Sequence, residues 1–374
     1  MDNQAKTFDA NARTIGGSSF DLRARANGNE KIILSGLLPN EITNVLKNAG
    51  LQDFQLKSYN GTQIFEWISK GARAFSQMTN LKEDLRSLLS RFAILRSSEI
   101  SKILKDPDGT IKLQITLCDN LSVETVLLTD KAGRKTACVS CQAGCAMNCA
   151  FCKTGTLSLA RSLSAGEIVE QFLFLEETAG TLDNIVFMGM GEPMMNLENV
   201  KKSILILTDK RGRNLSAKRI TISTCGVIKG IYDLADFKPS VRLAVSLTTA
   251  DSKSREKLMP VAKANPLPEL RKAIDFYAKK TGKRVTLEAA LFHDTNTDNK
   301  SAENMIDFAR GLNVNINLIP WNPVEELDFE EPSSNECKRF LEKLSKAGLN
   351  VTLRVKRGRK IGGACGQLGK TCLN

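Results

Sequence analysis

Residues 136–152 read Thr-Ala-Cys-Val-Ser-Cys-Gln-Ala-Gly-Cys-Ala-Met-Asn-Cys-Ala-Phe-Cys. The run opens as a short β-rich stretch over 136–140 and continues into a loop with cysteines at 145, 149 and 152. The same strand rhythm returns at 184–188, 219–223, 241–247, 284–291 and 315–319. Helical periodicity fills the intervals at 165–177, 197–207, 267–280 and 302–312. Strand and helix alternating about six times specify a parallel sheet. The expected fold is therefore α/β, a partial (β/α)6 TIM-like barrel with its site at the C-terminal ends of the strands. An open dinucleotide-binding sheet is the alternative, but no Gly-x-Gly-x-x-Gly follows the first strand.

Working outward, the chain divides into five parts. Residues 1–30 are rich in Asn, Gly, Ser and Arg without an apolar period, and read as a flexible basic arm. Residues 31–95 read as a small helical accessory domain. Leu37-Leu38-Pro39-Asn40-Glu41 marks a helix start, and Ile64, Ile68, Ala72 and Phe75 keep a three-or-four spacing. Residues 96–130 form a short β-rich connector. Ile111, Leu113, Ile115 and Leu117 alternate there, between turns at Asp106-Pro107-Asp108-Gly109 and Asp119-Asn120. The core spans 131–348, and 349–374 carry a basic run and Cys365.

Among the 374 residues, Lys plus Arg number 53 and Asp plus Glu 41, a net charge of +12. That excess suits a polyanion, nucleic acid first and an anionic membrane second, though a basic soluble protein has the same balance. No stretch reaches the ~18–20 apolar residues of a membrane helix. Residues 1–20 lack the apolar region of a secretory signal, so a cytoplasmic location is expected. In a reducing compartment clustered cysteines bind metal or do redox chemistry rather than staple a fold. Five of the ten cysteines fall between Cys138 and Cys152.

Cys145, Cys149 and Cys152 form a C-x3-C-x2-C loop. A structural zinc wants four ligands, and no close fourth Cys or His follows at finger spacing. His293, the single histidine, is far along the chain. Three thiolates suit a [4Fe-4S] cubane and leave one iron open for chemistry. Zinc, with Cys141 as a further ligand, is the rival arrangement. The segment Phe187-Met188-Gly189-Met190-Gly191-Glu192-Pro193 ends the second core strand. Its glycines allow close approach of a ligand, and Glu192 can accept from an ammonium group.

The cysteine loop resembles that of radical S-adenosylmethionine (SAM) enzymes, and the Gly-Met-Gly-Glu-Pro segment resembles that of the RlmN/Cfr group, which methylates adenine in RNA. Further segments agree in order and spacing, among them Val123-Glu124-Thr125-Val126, Asn317-Leu318-Ile319-Pro320-Trp321-Asn322-Pro323 and Ala364-Cys365-Gly366-Gln367-Leu368. The resemblance covers about residues 37–368. It implies a radical SAM barrel with a [4Fe-4S] cluster on Cys145, Cys149 and Cys152, and SAM contacts at Gly191, Glu192, Ser223, Ser246, Leu247, Thr248 and Asn322. It implies that Cys365 is first methylated, that a hydrogen is then removed from this methyl, and that the carbon adds to an sp2 carbon of adenine. Glu124 becomes the general base, and a Cys365–Cys138 disulfide frees the product. Without the resemblance, Glu124 reads as a solvated residue of a half-exposed strand, and Cys138 and Cys365 as inert thiols.

The partners implied are large-subunit ribosomal RNA, with transfer RNA second, and a reductant such as flavodoxin or ferredoxin. Arg354, Lys356, Arg357, Arg359 and Lys360, beside Cys365, are candidate phosphate contacts. Lys201, Lys202, Lys210, Arg211, Arg213, Lys218 and Arg219 form a second basic zone. One departure stands out: Ser246-Leu247-Thr248-Thr249-Ala250 carries Thr248 where the group has histidine. Pro193 after Glu192 resembles the RlmN branch of the group, which implies adenine C2 over C8. The rival readings are a radical SAM enzyme with another substrate and an RNA-binding protein with a structural metal.

Overall fold

The computed structural model describes residues 23–26, 29–48 and 56–369. Strands β1 (Arg23–Ala26) and β2 (Asn29–Ile33) pair antiparallel. Helices α1 (Pro39–Asn48), α2 (Ser58–Ser69) and α3 (Glu83–Phe92) follow, and β3 (Ala93–Ile94) returns parallel to β2. The arm expected over 1–30 thus contributes paired backbone at 23–26 and from 29 onward; residues 1–22 lie outside the described residues. The spacing from Ile64 to Phe75 is not one helix. It ends at Ser69, and Gly71 turns the chain at φ +94°. All four residues are still buried in one core, so the periodicity reported burial rather than helix length.

The connector forms β4 (Glu99–Lys105), β5 (Ile111–Thr116) and β6 (Ser122–Thr129), each antiparallel to the next. Strand β6 then pairs antiparallel with β7 (Lys135–Cys138), the first core strand. A small ribbon, β8 (Gln142–Ala143) with β9 (Arg161–Ser162), brackets the cysteine loop.

The alternation then runs α4 (Ala165–Ala179), β10 (Asn184–Phe187), α5 (Leu197–Thr208), β11 (Ile220–Thr224), α6 (Ile228–Ala235) and β12 (Arg242–Ser246). It continues through α7 (Ser252–Leu258), α8 (Leu267–Thr281), β13 (Val285–Leu291), α9 (Asn299–Ala309), β14 (Val314–Pro320), α10 (Ser334–Lys346) and β15 (Val351–Leu353). Helix starts are set locally. Ser164 and Glu167 form a reciprocal capping box on α4, and Asp251 and Asp298 accept from the first turns of α7 and α9.

One ten-stranded sheet results, in the order β15-β14-β13-β12-β11-β10-β7-β6-β5-β4. Strands β7 and β10 to β15 are parallel, so the six expected core strands are present and β15 adds a seventh. β4 and β15 are the two edges, which makes the barrel partial. The connector is part of the same sheet, because β6 covers the free edge of β7. The accessory helices are held to the barrel by Glu170 of α4. Its buried carboxylate accepts from the Ser35 hydroxyl (2.6 Å) and the Ser97 and Ser98 amides (2.9 Å each). Among the described residues no helix is long and apolar enough to cross a membrane.

Candidate active site

The C-terminal ends of β10 to β14 and the loop after β7 line one open cleft of about 990 Å³, the solvent at its mouth included. Cys145, Cys149 and Cys152 all line it. A tetrahedral zinc with Zn–S bonds of about 2.3 Å needs sulfurs roughly 3.8 Å apart. Among the described residues, the group with three ligand atoms within 4.8 Å of one another is His293, Asp294 and Glu336, not the loop cysteines. Three thiols on one cleft wall suit a cubane, in which each thiolate takes a different iron. Burial pushes the Cys145 thiol up to about 11 and raises Cys149 and Cys152 as well, so cluster assembly displaces protons. The loop is pinned by Ala150 N–H to Leu258 O (2.9 Å) and Lys153 N–H to Gly366 O (2.7 Å). Phe151, Phe292 and Trp321 pack beside it as an apolar wall.

The glycines at the end of β10 have a structural reason. A Cβ on Gly189 would lie 2.7 Å from the Val139 carbonyl, and one on Gly191 (φ +94°) 2.4 Å from the Gln142 Cβ. Close packing against the strand of the cysteine loop therefore demands glycine, with or without a ligand. Glu192 is 4% exposed; its carboxylate accepts from Met194 N–H (3.0 Å) and Cys225 N–H (2.8 Å). Burial raises its carboxyl above the usual range while these bonds oppose the shift. The side chains of Cys225 and Thr224 also hydrogen-bond it, so an ammonium would share these acceptor positions. Ser223, Ser246 and Thr248 line the cleft, but Leu247 is packed in the core with its backbone amide on Glu288 O (2.8 Å). Asn322 donates to Cys365 O (3.3 Å), while its Oδ1 is buried without a partner. That orphaned acceptor on the cleft wall fits a ligand donor such as the adenine amino group of SAM.

Thr248 holds φ +61°, a left-handed conformation rare for a β-branched residue. Its amide donates to Glu288 O (3.0 Å) and its carbonyl accepts from Asn296 Nδ2 (3.0 Å), which fixes the strain in place. Asn and His tolerate this region, so the histidine seen in the RlmN/Cfr group suits the backbone better than threonine. Thr248→Asn is expected to stabilise the fold by about 1 kcal/mol in urea unfolding. A lower midpoint would show that methyl packing outweighs the strain.

A second cavity of about 540 Å³ holds Cys138 and Cys365 with Arg354, Lys356 and Arg357. It shares Met188, Ile319, Asn322 and Cys365 with the first. Cys365 thus stands on the wall between the cysteine cluster and Cys138. Burial pushes the Cys138 thiol up to about 12, with Cys365 adding to the shift. Glu124 is fully buried, contrary to its unaided reading, because the C-terminal segment covers that face of β6. It pairs with Lys112 Nζ (3.0 Å) and accepts from Gly369 N–H (2.8 Å).

Two residues escaped the sequence reading. Glu288, in the middle of apolar β13, is buried in the cleft and accepts from Ser223 Oγ (3.2 Å). A carboxylate inside an otherwise apolar strand was the available signal. Arg255, fully buried, ties strand ends together through Leu247 O (3.2 Å) and Cys225 O (2.7 Å). The basic segments are partly neutralised. Lys356 and Arg359 pair with Glu331, and Lys201, Lys202, Arg211 and Arg213 each face a carboxylate.

His293 lies outside the site. Its Nδ1 meets Glu336 (3.0 Å), whose carboxylate also caps α10 through Ser333 N–H (2.8 Å). Burial alone would raise Glu336, but Ser333 and His293 outweigh it and hold the carboxyl at about 2. The Glu336 bond raises His293 above its ordinary 6.5. The histidine contribution to stability is therefore complete below pH 6.5 and fades as pH rises through the raised value. The Glu336 contribution is complete above 4.5 and is lost as pH falls through about 2. In Glu336→Gln, the imidazole NMR titration is expected to move down toward 6.5; an unmoved titration would show the pair is not formed in solution.

Known proteins give the same answer as the geometry. Residues 139–318 match the radical SAM superfamily, and residues 40–95 match the ribosomal RNA large subunit methyltransferase N-terminal domain. A probable dual-specificity RNA methyltransferase RlmN of Treponema denticola is 58% identical over 341 residues, covering 91% of this chain and 96% of the relative. Its counterpart in Treponema pallidum (strain Nichols) is 53% identical over 338 residues, covering 90% and 97%. A radical SAM methyltransferase from Sphaerobacter thermophilus superposes with a TM-score of 0.85 at 38% identity, covering 90% of this chain and 98% of that one. Cysteine loop, strand-end cleft and N-terminal helices together place the chain in the RlmN family of radical SAM methyltransferases, to which it belongs.

Proposed function

We propose that this chain methylates C2 of an adenine in large-subunit ribosomal RNA, with transfer RNA as a second substrate, and that Cys365 carries the carbon. The observation that carries the reading is the place of Cys365 on the wall between two cavities, one lined by the three loop cysteines and the other by Cys138. An adenine amidine carbon is not nucleophilic, so displacement on a sulfonium methyl does not reach it, and a thiol carrier that hands over the carbon as a radical avoids the problem. Cys145, Cys149 and Cys152 hold the [4Fe-4S] cluster. Gly191, Glu192, Ser223, Ser246, Thr248 and Asn322 line that cleft and hold SAM, whereas Leu247, expected among the contacts, has both its backbone groups bonded within the protein. When bound, cluster and SAM supply a methyl group and, on reduction, the means to remove a hydrogen from it.

The side chains do the rest. Cys365 Sγ accepts the methyl, Glu124 takes the proton from the adenine carbon, and Cys138 closes a disulfide with Cys365 to free the product. Arg354, Lys356 and Arg357 line the cavity of the two thiols, where phosphate would approach. The domain division is that of the five segments 1–30, 31–95, 96–130, 131–348 and 349–374. The enzyme works in the cytoplasm with a flavodoxin- or ferredoxin-type reductant. The test is mass spectrometry of RNA nucleosides from cells with and without the gene. Loss of 2-methyladenosine is expected; loss of the C8 isomer would reassign the position, and no change in any methyladenosine would overturn the reading.

A further inference from the structure

One ion pair closes both ends of the loop that carries Cys365. Lys112 of β5 and Glu124 of β6 are 2% and 0% exposed and meet at 3.0 Å. Lys112 Nζ also donates to the Gly362 carbonyl (3.2 Å), three residues before Cys365. Glu124 accepts, on its other oxygen, from the Gly369 amide (2.8 Å), four residues after it. Lys112 and Cys138 each face Val126 across the sheet, so the pair lies on the same face as the second thiol. The loop needs such fixing: Gly362, Gly366 and Gly369 hold φ of +60°, +82° and +108°, conformations that cost glycine much chain entropy. Lys153 N–H and Asn322 Nδ2 hold its middle at Gly366 O and Cys365 O, while Thr154 Oγ1 donates to Leu368 O beside the Glu124–Gly369 bond and Gly363 N–H donates to Gly358 O beside the Lys112–Gly362 bond.

We propose that Lys112 is a positioning residue for methyl transfer: it aims the Glu124 carboxylate and, through Gly362 and Gly369, seats the Cys365 loop. The proposal rests on the roles given above to Cys365 and Glu124. It places carbon carrier and base on a common mount, so that neither can shift without the other. A lysine suits this task because its three donors can serve a carboxylate and a carbonyl together.

The test uses the cluster-loaded enzyme with SAM and RNA. In Lys112→Met, amide hydrogen exchange over 362–369 is expected to quicken by at least about 10-fold, with amides of β11 and β12 unchanged. RNA methylation should fall by at least about 10²-fold, because a misplacement near 1 Å has that effect. SAM affinity should stay within about twofold, since Lys112 does not line the SAM cleft. Lys112→Arg keeps the charge and is expected to recover loop protection and part of the activity. If Lys112→Met does not fold, the same readings are taken on Lys112→Gln. A folded variant with unchanged exchange over 362–369, or with wild-type methylation, overturns the proposal. Failure of the underlying reading gives a different sign: Cys365→Ala would itself retain RNA methylation.

Discussion

Replacing Cys365 with alanine is expected to lower RNA methylation by at least about 10³-fold, the scale on which enzymes lose a covalent nucleophile. Cluster content and SAM binding should be retained, because the change leaves Cys145, Cys149 and Cys152 and the cleft residues Gly191, Glu192, Ser223, Ser246 and Thr248 in place. The discriminating measurement is intact-protein mass. Wild-type enzyme incubated with SAM should gain a methyl group, and Cys365→Ala should not. The loop fold should survive, since the contacts of Cys365 with Asn322 and its neighbours use the backbone carbonyl. Turnover by the alanine variant would mean that the carbon reaches its target without this sulfur.

Cys138→Ala should fail just as completely in turnover and differently in outcome. Cys138 shares a cavity with Cys365 and lies away from the cleft of the loop cysteines. Methylation of Cys365 and attack on adenine should proceed, but release should not, because no second thiol can form the disulfide. A covalent protein–RNA species is expected to accumulate on a denaturing gel. The thiol, pushed up to about 12 by burial, is protonated at neutrality. It must therefore lose its proton as it attacks, which suits a group that acts last, after the substrate has filled the cavity. Multiple turnover with no trapped species would remove Cys138 from the release step.

The Lys112 variants complete the set. Together the three substitutions separate loading of the carbon, its positioning and its release, which a single loss of activity cannot do.

Much of this molecule could be read along the chain. Short β-rich runs recur at β7 and β10 to β14, apolar in the middle of β10 and β12 and alternating in β14, and α4, α7, α9 and α10 carry their own side-chain caps. Cys145, Cys149, Cys152 and the Gly191-Glu192 segment are local in sequence, so their chemistry was visible as spacing. Glu124 and Lys112 were not. Alternation on β5 marks the face of Lys112, Gln114 and Thr116 as polar, and such a face, like a lone Glu124 on β6, looks solvated until something covers it. The cover is residues 362–369, which reach Lys112 and Glu124 from 250 and 245 positions away in the chain. A comparable separation hid the meeting of Cys138 with Cys365, and a shorter one of 65 positions hid the burial of Glu288 beside Ser223. Local propensity and periodicity fix each element and its apolar side. Which carboxylate loses its water, and which two thiols share a cavity, depends on packing between segments remote in the chain, because desolvation and proximity belong to the assembled sheet and not to any one strand.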